Sequence, residues 1–298
     1  MRFLREKKRP KWHIWLIVGL LSAAALAVGG FWAWRQPLPE PAPPSSVMPT
    51  DPPVTEARTV RVTIPEGKRL DEIAALMETN RVCSAAEFYR AEEEGDFSGY
   101  AFIREMPDMP GRGFRLEGYL FPDTYEFYIN CSGESAIERF LDNFSTKIAL
   151  LREAIAERGG TVDETVVMAS VIQREVGIAA DMRKVSRVLY NRLENPAEFP
   201  QIQCDATGDY VRKVNAAGQI TIRHEDYNTY QCRGRPAGPI SSPGLEALTA
   251  AVYPSEEETV RDCFFFATDI ATGITYFTKT YAEHVAVCEQ YQIGIHAN

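Results

Sequence analysis

The pattern of apolar and polar residues divides the chain into one long apolar run and a series of short periodic segments. The run from Trp12 to Trp34 carries no formal charge and, at 23 residues, exceeds the roughly 20 residues that a helix needs to cross a bilayer. After residue 58 the apolar positions alternate or recur at helical spacing, which is typical of strands and helices. We therefore predict a transmembrane helix over 12–34 and a globular region that begins at 58.

Within the globular region, predicted helices outnumber predicted strands. Val60, Val62 and Ile64 alternate in a predicted strand, and the last two strands, 263–269 and 275–280, flank Ala-Thr-Gly as a hairpin. Helical spacing predicts helices over 70–79, 84–94, 134–158, 163–176, 181–194, 244–252 and 281–291. The region 195–243, with many Gly and Pro, is predicted to be rich in loops. Because helices and strands are segregated along the chain, we predict the α+β class.

Charged and aromatic residues flank the apolar run and predict its orientation. Basic residues dominate the predicted cytoplasmic tail 1–11, and tryptophans lie at both ends of 12–34, where they favour the membrane interface. The basic side should remain in the cytoplasm, so that the protein is a single-pass cell-membrane protein with an extracytoplasmic globular part. A cleavable signal peptide is the alternative, because AAALA resembles a cleavage site. Residues 35–57 are rich in proline and predict a stiff spacer.

The globular region is strongly acidic, which bears on its partners. Residues 1–35 contain seven Lys or Arg and one acidic residue, whereas the remainder contains 25 basic and 40 acidic residues. Phosphate binding requires a basic face, so this composition argues against nucleic acid as a partner. It is compatible with a neutral or weakly charged polymer such as a glycan.

Six cysteines follow the predicted span, and their number and placement favour disulfides over a metal site. No Cys-x-x-Cys pair is present and the four histidines are scattered, so we predict no zinc site. An even number of cysteines outside the cytoplasm predicts two or three disulfides. Cys204–Cys232 and Cys263–Cys288 are the favoured pairs because each closes a short segment. Buried free thiols are the alternative.

The predicted helix that contains MASVIQREVG carries a carboxylate at the end of its apolar stripe. Met168 and Val171 mark that stripe, and one further turn reaches Glu175. The neighbouring Gln173 and Arg174 point elsewhere. Apolar surroundings and a helix C-terminus both disfavour the ionised carboxylate, which would raise its pKa into the range of a general acid. A salt-bridged or snorkelling glutamate is the alternative interpretation of the same position.

Six ordered motifs between about 58 and 290 resemble one known family. LEGYLFPDTYEF at 116–127 looks like the signature of the endolytic murein transglycosylases (the MltG or YceG-like family), and MASVIQREVG at 168–177 resembles their catalytic helix. Further similar segments follow in the family's order: KVSRVLYNRL at 184–193, IQCDAT at 202–207, a single stretch made of YNTY at 227–230 and GRPAGPISSPGLEALTAAVYP at 234–254, and FFFATD with YFTKTYAEH, the latter at 276–284. The chain is therefore identified as a member of this family.

The resemblance implies a small LysM-like subdomain over 58–97, packed on a transglycosylase catalytic domain over 98–298, and it implies no cofactor. The LysM-like unit would either bind glycan or only orient the catalytic domain. The implied partners are the glycan strands of peptidoglycan, the membrane, and peptidoglycan synthases such as penicillin-binding proteins.

The implied reaction is lytic rather than hydrolytic. One glutamate, which maps onto Glu175, protonates the bond between N-acetylmuramic acid and N-acetylglucosamine. The resulting carboxylate then helps the muramyl 6-hydroxyl attack its own anomeric carbon, which leaves a 1,6-anhydromuramyl end. The paired carboxylates of ordinary glycosidases are not needed, because the nucleophile belongs to the substrate.

Several polar and aromatic residues of the motifs are candidates for binding the sugar. Each polar one would either hydrogen-bond the substrate or brace its own loop, and each aromatic one would either stack on a sugar face or pack in the core. We predict six such residues: Glu117, Tyr119, Gln203, Asp205, Tyr227 and Asn228.

Two positions depart from the family pattern. Gln173 stands where the family commonly has the first Glu of Glu-Lys-Glu, and Thr275–Tyr276 stand where a His often precedes Phe. If the first Glu were the acid, this protein would be inactive, but the apolar stripe favours the second position, Glu175.

Two other functions compete with this interpretation. The first is a non-catalytic peptidoglycan-binding or divisome scaffold protein of the same fold, which Glu175 would distinguish from the enzyme. The second is a serine hydrolase, which the absence of a Gly-x-Ser-x-Gly motif argues against.

Overall fold

The computed structural model describes residues 58–269 and 271–294. The predicted cytoplasmic tail, transmembrane helix and proline-rich spacer lie outside these residues. The chain divides into two units, Met1–Glu56 and Ala57–Asn298, and every described residue belongs to the second unit. Within the described ranges, no helix is both long enough and apolar enough to cross a bilayer.

An antiparallel ribbon closes the N-terminal part of the fold. Strand β1 (Thr59–Thr63) pairs with β2 (Thr124–Tyr128), and Val62 lies opposite Tyr125. β1 confirms the strand predicted from alternation. β2 lies in an aromatic segment for which no strand was predicted, although its side chains alternate between exposed and buried as a half-buried strand requires.

Three helices lie between the two strands of the ribbon: α1 (Leu70–Thr79), α2 (Ala85–Glu94) and the short α3 (Ala101–Arg104). α1 and α2 confirm the predicted helices. The hydroxyl of Ser84 accepts a hydrogen bond from the N–H of Glu87, whose carboxylate accepts one from the N–H of Ser84. This reciprocal capping satisfies two of the amides that a helix start leaves without partners.

Most of the second half is helical, and a short hairpin lies near its end. Its elements are α4 (Gly133–Ala149), α5 (Arg152–Glu157), α6 (Val162–Glu175), α7 (Ala179–Glu194), α8 (Asp205–Ala217), α9 (His224–Tyr227), α10 (Leu245–Val252), β3 (Phe265–Thr268), β4 (Thr275–Thr278) and α11 (Tyr281–Tyr291). β3 and β4 pair antiparallel. The α+β class is therefore confirmed.

Two parts of the predicted secondary structure differ from the structure. The single helix predicted over 134–158 is divided into α4 and α5, because the chain turns at Leu150 and Leu151, where Leu150 is exposed and Leu151 is buried. The region 195–243, predicted to be rich in loops, contains α8 and α9, which were not predicted. The sequence of α8, DATGDYVRKVNAA, carries Gly and Asn among its helix formers, and these residues weaken the local helix signal.

Helix α6 is the buried centre of the second half. Every residue from Thr165 to Ile172 is buried, and α10 and α7 pack against the helix. Burial on all sides is typical of a core helix rather than an amphipathic surface helix. The helix is capped by Thr161 and Glu164, whose side chains each accept a hydrogen bond from the other's N–H at 3.1 Å. Asp163 is a residue of the first turn.

Glu117 is a fully buried carboxyl that connects the two halves of the fold. Its Oε1 accepts a hydrogen bond from the N–H of Leu70, at the start of α1, at 3.1 Å. Its Oε2 accepts one from the hydroxyl of Tyr210, in α8, at 3.1 Å. Burial raises the pKa of Glu117 to about 8, although both hydrogen bonds act to lower it. This placement corrects the predicted sugar contact, because a carboxyl without exposed surface has no access to a ligand.

All six cysteines are free thiols in the structure. The predicted disulfides Cys204–Cys232 and Cys263–Cys288 are therefore not formed here. The thiol of Cys263 contacts the carbonyl oxygen of Thr259 at 3.4 Å instead. Burial raises the pKa of Cys204 well above its ordinary value, which disfavours the thiolate needed for disulfide exchange. The alternative of buried free thiols describes this arrangement better.

Replacing Glu117 by Gln should change how the stability of the fold depends on pH. The pKa of Glu117 is about 8 in the folded protein, against an ordinary value of 4.5, so the folded state holds a proton that the unfolded state has lost between these values. The stabilising contribution of this group is therefore complete below about 4.5 and is lost as pH rises to about 8. Relative to the Glu117→Gln variant, the free energy of unfolding of the wild type should fall across this window.

Urea unfolding at a series of pH values measures the difference. Glu138→Gln is a matched control, because Glu138 is an exposed glutamate of α4, and its pH dependence should run parallel to that of the wild type. Parallel curves for the wild type and Glu117→Gln would contradict the assignment.

Candidate active site

A pocket of about 540 Å³ lies where the end of α6 and the start of α8 face the β3–β4 hairpin and α11. Its volume is in the ordinary range of ligand sites. The ionisable groups in its wall are Glu175, Arg192, Asp205, Asp269, His284 and the Cys288 thiol, with tyrosine hydroxyls beside them. A larger open depression, of about 660 Å³, lies between β2 and α4, but none of the predicted site residues lines it. The pocket at the end of α6 is therefore the candidate active site.

Glu175 is the last residue of α6 and lines this pocket. Its Oε1 accepts a long hydrogen bond, 3.4 Å, from the N–H of Ala206. Ala206 is the second residue of α8, so its N–H is one of the amides that a helix start leaves without a partner in the helix. The pocket thus places the carboxyl between the C-terminal end of one helix and the N-terminal end of another.

Burial is the main reason why the pKa of Glu175 rises to about 7. The N–H of Ala206 opposes this shift, since it stabilises the charged carboxylate, whereas the negative charge of Asp205 adds to it. A carboxyl with a pKa near neutrality populates both its protonated and its ionised form. It is therefore suited to donate a proton and to accept one back.

The residues that precede Glu175 point away from the pocket. The Oε1 of Gln173 accepts a hydrogen bond from the N–H of Gly244, which precedes α10, at 2.9 Å. The Nη1 of Arg174 lies 3.4 Å from the carbonyl oxygen of Gly67, in the turn between β1 and α1. Of the two positions where the family has glutamates, the structure thus places only the second in the pocket. The Gln at the first position braces α10.

Gln203 and Asp205, two of the predicted sugar-binding residues, also line the pocket. Asp205 begins α8, and its Oδ1 accepts a hydrogen bond from the hydroxyl of Tyr230 at 2.8 Å. Gln203 has a left-handed backbone, with φ of 54°, and its N–H donates to the carbonyl oxygen of Thr229 at 3.1 Å. The segments that contain IQCDAT and YNTY are therefore joined at the pocket.

Two predicted sugar-stacking residues are core residues instead. Tyr119 is fully buried, and its hydroxyl donates to Oδ1 of Asp163 at 2.6 Å. Tyr227 is also fully buried, and its hydroxyl accepts a hydrogen bond from the N–H of Gly113 at 2.9 Å. These placements correct the predicted sugar contacts, because neither ring has a free face for a ligand. Their hydroxyls satisfy polar groups inside the core.

Asn228 lies outside the pocket and braces its own turn. Its Oδ1 accepts a hydrogen bond from the N–H of Tyr230 at 3.1 Å. Its Nδ2 lies 3.5 Å from Nδ1 of His224, one helical turn earlier. The structure thus favours the loop-bracing interpretation of Asn228. Of the motif YNTY, it is the second tyrosine that reaches the pocket.

The pocket groups that were not predicted as site residues include Arg192, Tyr230 and His284. His284 packs against the ring of Phe265 with centroids 5.5 Å apart, and burial together with the positive charge of Arg192 lowers its pKa. Arg192 donates to the carbonyl oxygen of Phe264 at 2.6 Å. An arginine within a helical motif gives no sequence signal that it faces a pocket.

Helix α7 positions the hairpin that forms the far wall. The Nδ2 of Asn191 donates to the carbonyl oxygens of Arg261 and Cys263, both at 2.8 Å. In the hairpin, the positions where the family often has His hold Thr275 and Tyr276. Tyr276 stacks on Tyr291 of α11, with ring centroids 4.3 Å apart. This departure from the family pattern therefore contributes to packing between β4 and α11.

The fold and the pocket together define an α+β protein with a glutamate of raised pKa, Glu175, at the end of its central helix beside a polar cleft. The family model described as "YceG-like family" matches residues 49–290. The chain belongs to the YceG-like family.

Characterised relatives support the same grouping. The chain is 27% identical over 240 residues to the endolytic murein transglycosylase of Streptococcus pneumoniae, a match that covers 75% of this chain and 43% of the relative. It is 29% identical over 247 residues to the endolytic murein transglycosylase of Bacillus subtilis, which covers 78% of this chain and 65% of the relative. The chain thus spans less than two thirds of the length of these relatives.

A solved structure has a similar fold. The 2.6 Å crystal structure of a yceG-like protein from Listeria monocytogenes aligns with a TM-score of 0.64 at 28% sequence identity. The alignment covers 76% of this chain and 75% of that protein.

Replacing Asp205 by Asn should lower the pKa of Glu175, because the change removes a negative charge that opposes its ionisation. Carbon NMR of isotopically labelled glutamate side chains measures this pKa without reference to any activity. The Glu175 signal should titrate with a midpoint near 7 in the wild type and at a lower pH in Asp205→Asn.

Asp209→Asn serves as the graded control, since Asp209 raises the pKa of Glu175 less than Asp205 does. The account fails if Glu175 titrates near 4.5, its ordinary value, in the wild type. It also fails if Asp205→Asn leaves the midpoint unchanged.

Proposed function

We propose that this protein is a lytic transglycosylase that cleaves the bond between N-acetylmuramic acid and N-acetylglucosamine within the glycan strands of peptidoglycan. The observation that carries the proposal is one carboxyl, Glu175, which lies in a polar pocket with its pKa raised to about 7. The names of the relatives from S. pneumoniae and B. subtilis support the same activity.

The first step of the proposed reaction is proton donation. Glu175 in its protonated form gives its proton to the glycosidic oxygen as the bond to the muramyl anomeric carbon breaks. Burial provides the protonated form at neutral pH, and the departing sugar leaves with a hydroxyl. The charge of Asp205 supports this step, because it opposes loss of the proton from Glu175.

The second step uses the same carboxyl in its ionised form. The Glu175 carboxylate accepts the proton of the muramyl 6-hydroxyl, whose oxygen bonds to the anomeric carbon and closes the anhydro ring. The N–H of Ala206, 3.4 Å from Oε1, stabilises the carboxylate in the interval between the two proton transfers. One carboxyl suffices because the substrate supplies the nucleophile, whereas hydrolysis requires an activated water or a second carboxylate.

The rest of the chain would place this reaction at the cell membrane. We propose that the apolar run 12–34 anchors the protein with its pocket outside the cytoplasm, next to peptidoglycan synthases that make the strands. We also propose that β1, α1 and α2, within 58–97, form the LysM-like subdomain, and that β2, which follows α3 outside these bounds, completes it. The order strand, helix, helix within 58–97 and the antiparallel pairing of β1 with β2 support this.

A non-catalytic peptidoglycan-binding protein of the same fold is the alternative, and Glu175→Gln separates the two. The variant replaces the acid with an amide of the same shape, so it should fold normally and lose at least about a hundredfold in rate, the usual contribution of a general acid. Mass spectrometry of purified, uncross-linked glycan strands measures release of anhydromuramyl ends.

Gln173→Glu is the matched control on the same helix. A glutamate there still accepts the hydrogen bond from Gly244, which Gln173 accepts at 2.9 Å, so activity should be retained. Full activity in Glu175→Gln, or no activity in the wild type on any strand, would refute the proposed enzyme.

The rate of cleavage should depend on pH through Glu175. Bond breaking needs the protonated carboxyl, so the rate should fall as pH rises above about 7, where the folded protein loses this proton. Initial rates of cleavage of defined strands, measured from acid to alkaline pH, give this descending limb of the pH–rate profile. In Asp205→Asn the limb should move to lower pH, and a rate that stays constant across the neutral range would contradict the assigned acid.

A further inference from the structure

Arg192 is a buried cation in the wall of the pocket, and only 6% of it is exposed. No Asp or Glu among the described residues forms an ion pair with it. Burial lowers the pKa of its guanidinium, because the charge has left water without gaining a carboxylate. An unpaired buried charge is costly to the folded protein and is rarely retained without a partner.

The hydrogen bonds of Arg192 leave one nitrogen without an acceptor. Its Nε donates to the carbonyl oxygen of Phe264 at 2.6 Å, and its Nη1 donates to the carbonyl oxygen of Ile202 and to Oε1 of Gln203, both at 3.0 Å. All three acceptors are neutral. Nη2 has no acceptor among the described residues. It is also not one of the fully buried side-chain atoms that lack a hydrogen-bond partner, so it keeps some accessible surface. Two of the five N–H groups of the guanidinium therefore remain available at the pocket.

The guanidinium is held in a fixed position. Its central carbon lies 4.8 Å from the ring centroid of Phe265 and 5.4 Å from that of Phe199. These two rings are nearly perpendicular, at 75°. Gln203 contributes its side chain from a left-handed backbone, φ 54°, a conformation that is unfavourable in a residue other than glycine. A donor that is fixed before a ligand arrives loses little entropy on binding it.

The carboxylates that share the pocket are engaged by other donors. Asp269 accepts hydrogen bonds from the N–H of Ala271 at 2.9 Å and from the hydroxyl of Thr272 at 2.7 Å. Asp205 accepts from Tyr230, and Glu175 accepts from the start of α8. The missing counter-charge of Arg192 therefore points to a ligand rather than to the protein.

We propose that Nη2 of Arg192 binds a carboxylate carried by the muramyl sugar, so that the pocket prefers anionic strands to neutral ones. This inference rests on the proposed function, since it names the part of the glycan that the site recognises. Two sources supply the same chemistry: the lactyl carboxylate of a peptide-free strand and the carboxylates of a stem peptide. Hydrogen bonds between guanidinium and carboxylate are about twice as strong as neutral ones.

The test compares binding of strands that differ only in charge. The Glu175→Gln variant binds without cleaving and keeps Arg192, so calorimetry with it gives a dissociation constant. Peptide-free strands are compared with the same strands whose lactyl carboxylates have been converted to primary amides. Peptide-bearing strands are compared with their amidated form in the same way. At least one amidation should weaken binding by about tenfold or more.

Each outcome bears on the proposal. Weakening in the first pair alone assigns the lactyl carboxylate, and weakening in the second pair alone assigns the stem peptide. Equal dissociation constants in both pairs overturn the proposal. Weaker binding on amidation together with no cleavage by the wild type would refute the proposed enzyme but keep the inference. Cleavage by the wild type, together with equal binding of charged and amidated strands, would keep the proposed enzyme but refute the inference.

Variants of α7 test the same point from the protein side. Arg192→Gln should bind charged and amidated strands equally, because it removes the positive charge. Arg187→Gln is the matched control on the same helix, since Arg187 bonds to Ser255 outside the pocket, and it should still discriminate. If Arg192→Gln fails to fold by circular dichroism, the strand comparison with Arg192 in place decides alone.

Discussion

The proposed chemistry depends on a carboxyl, that of Glu175, which is held where its charge is poorly solvated. Helix α6 runs through the core with its residues buried from Thr165 to Ile172, and its last residue, Glu175, emerges in a cleft rather than in open solvent. Burial favours the protonated form, while the N–H of Ala206 favours the ionised one. Because the two effects oppose each other, the pKa lies near neutrality, where one group can serve successively as acid and base.

The surrounding polar residues maintain this balance by fixing the helices that meet at the pocket. Glu117 joins the start of α1 to Tyr210 in the middle of α8, and the start of α8 in turn holds Ala206 against Glu175. Gln173 ties α6 to α10 through Gly244. The motif residues thus divide into buried braces and pocket groups, and the position of the acid depends on both.

Periodicity predicted the parts of this arrangement that are local. The stripe of Met168 and Val171 led to Glu175, and the alternation in β1 and the periodic helices α1 and α11 were placed correctly. Helix α8 was not predicted, because its Gly208 and polar residues weaken a helix that tertiary contacts stabilise, including the bond from Tyr210 to Glu117.

The chemistry of the site was harder to predict because it depends on contacts distant in sequence. Tyr119 and Tyr227 have the residue type of sugar-stacking groups, yet each hydroxyl has a partner in the core, Asp163 and the N–H of Gly113. Arg192 gives the opposite case. In the sequence it cannot be told from an ordinary exposed arginine of a helix. Its burial, its neutral hydrogen-bond acceptors and its place in the pocket wall, all seen only in the structure, distinguish it from one.

The origin of the oxygen that ends on the anomeric carbon tests the single-acid account most directly. Cleavage of defined glycan strands in heavy-oxygen water, followed by mass spectrometry of the new muramyl ends, measures it. The account predicts anhydro ends that carry no label, since the sugar's own 6-hydroxyl closes the ring. Ends that have gained the mass of labelled water would show hydrolysis, and that result would contradict a mechanism in which Glu175 acts alone.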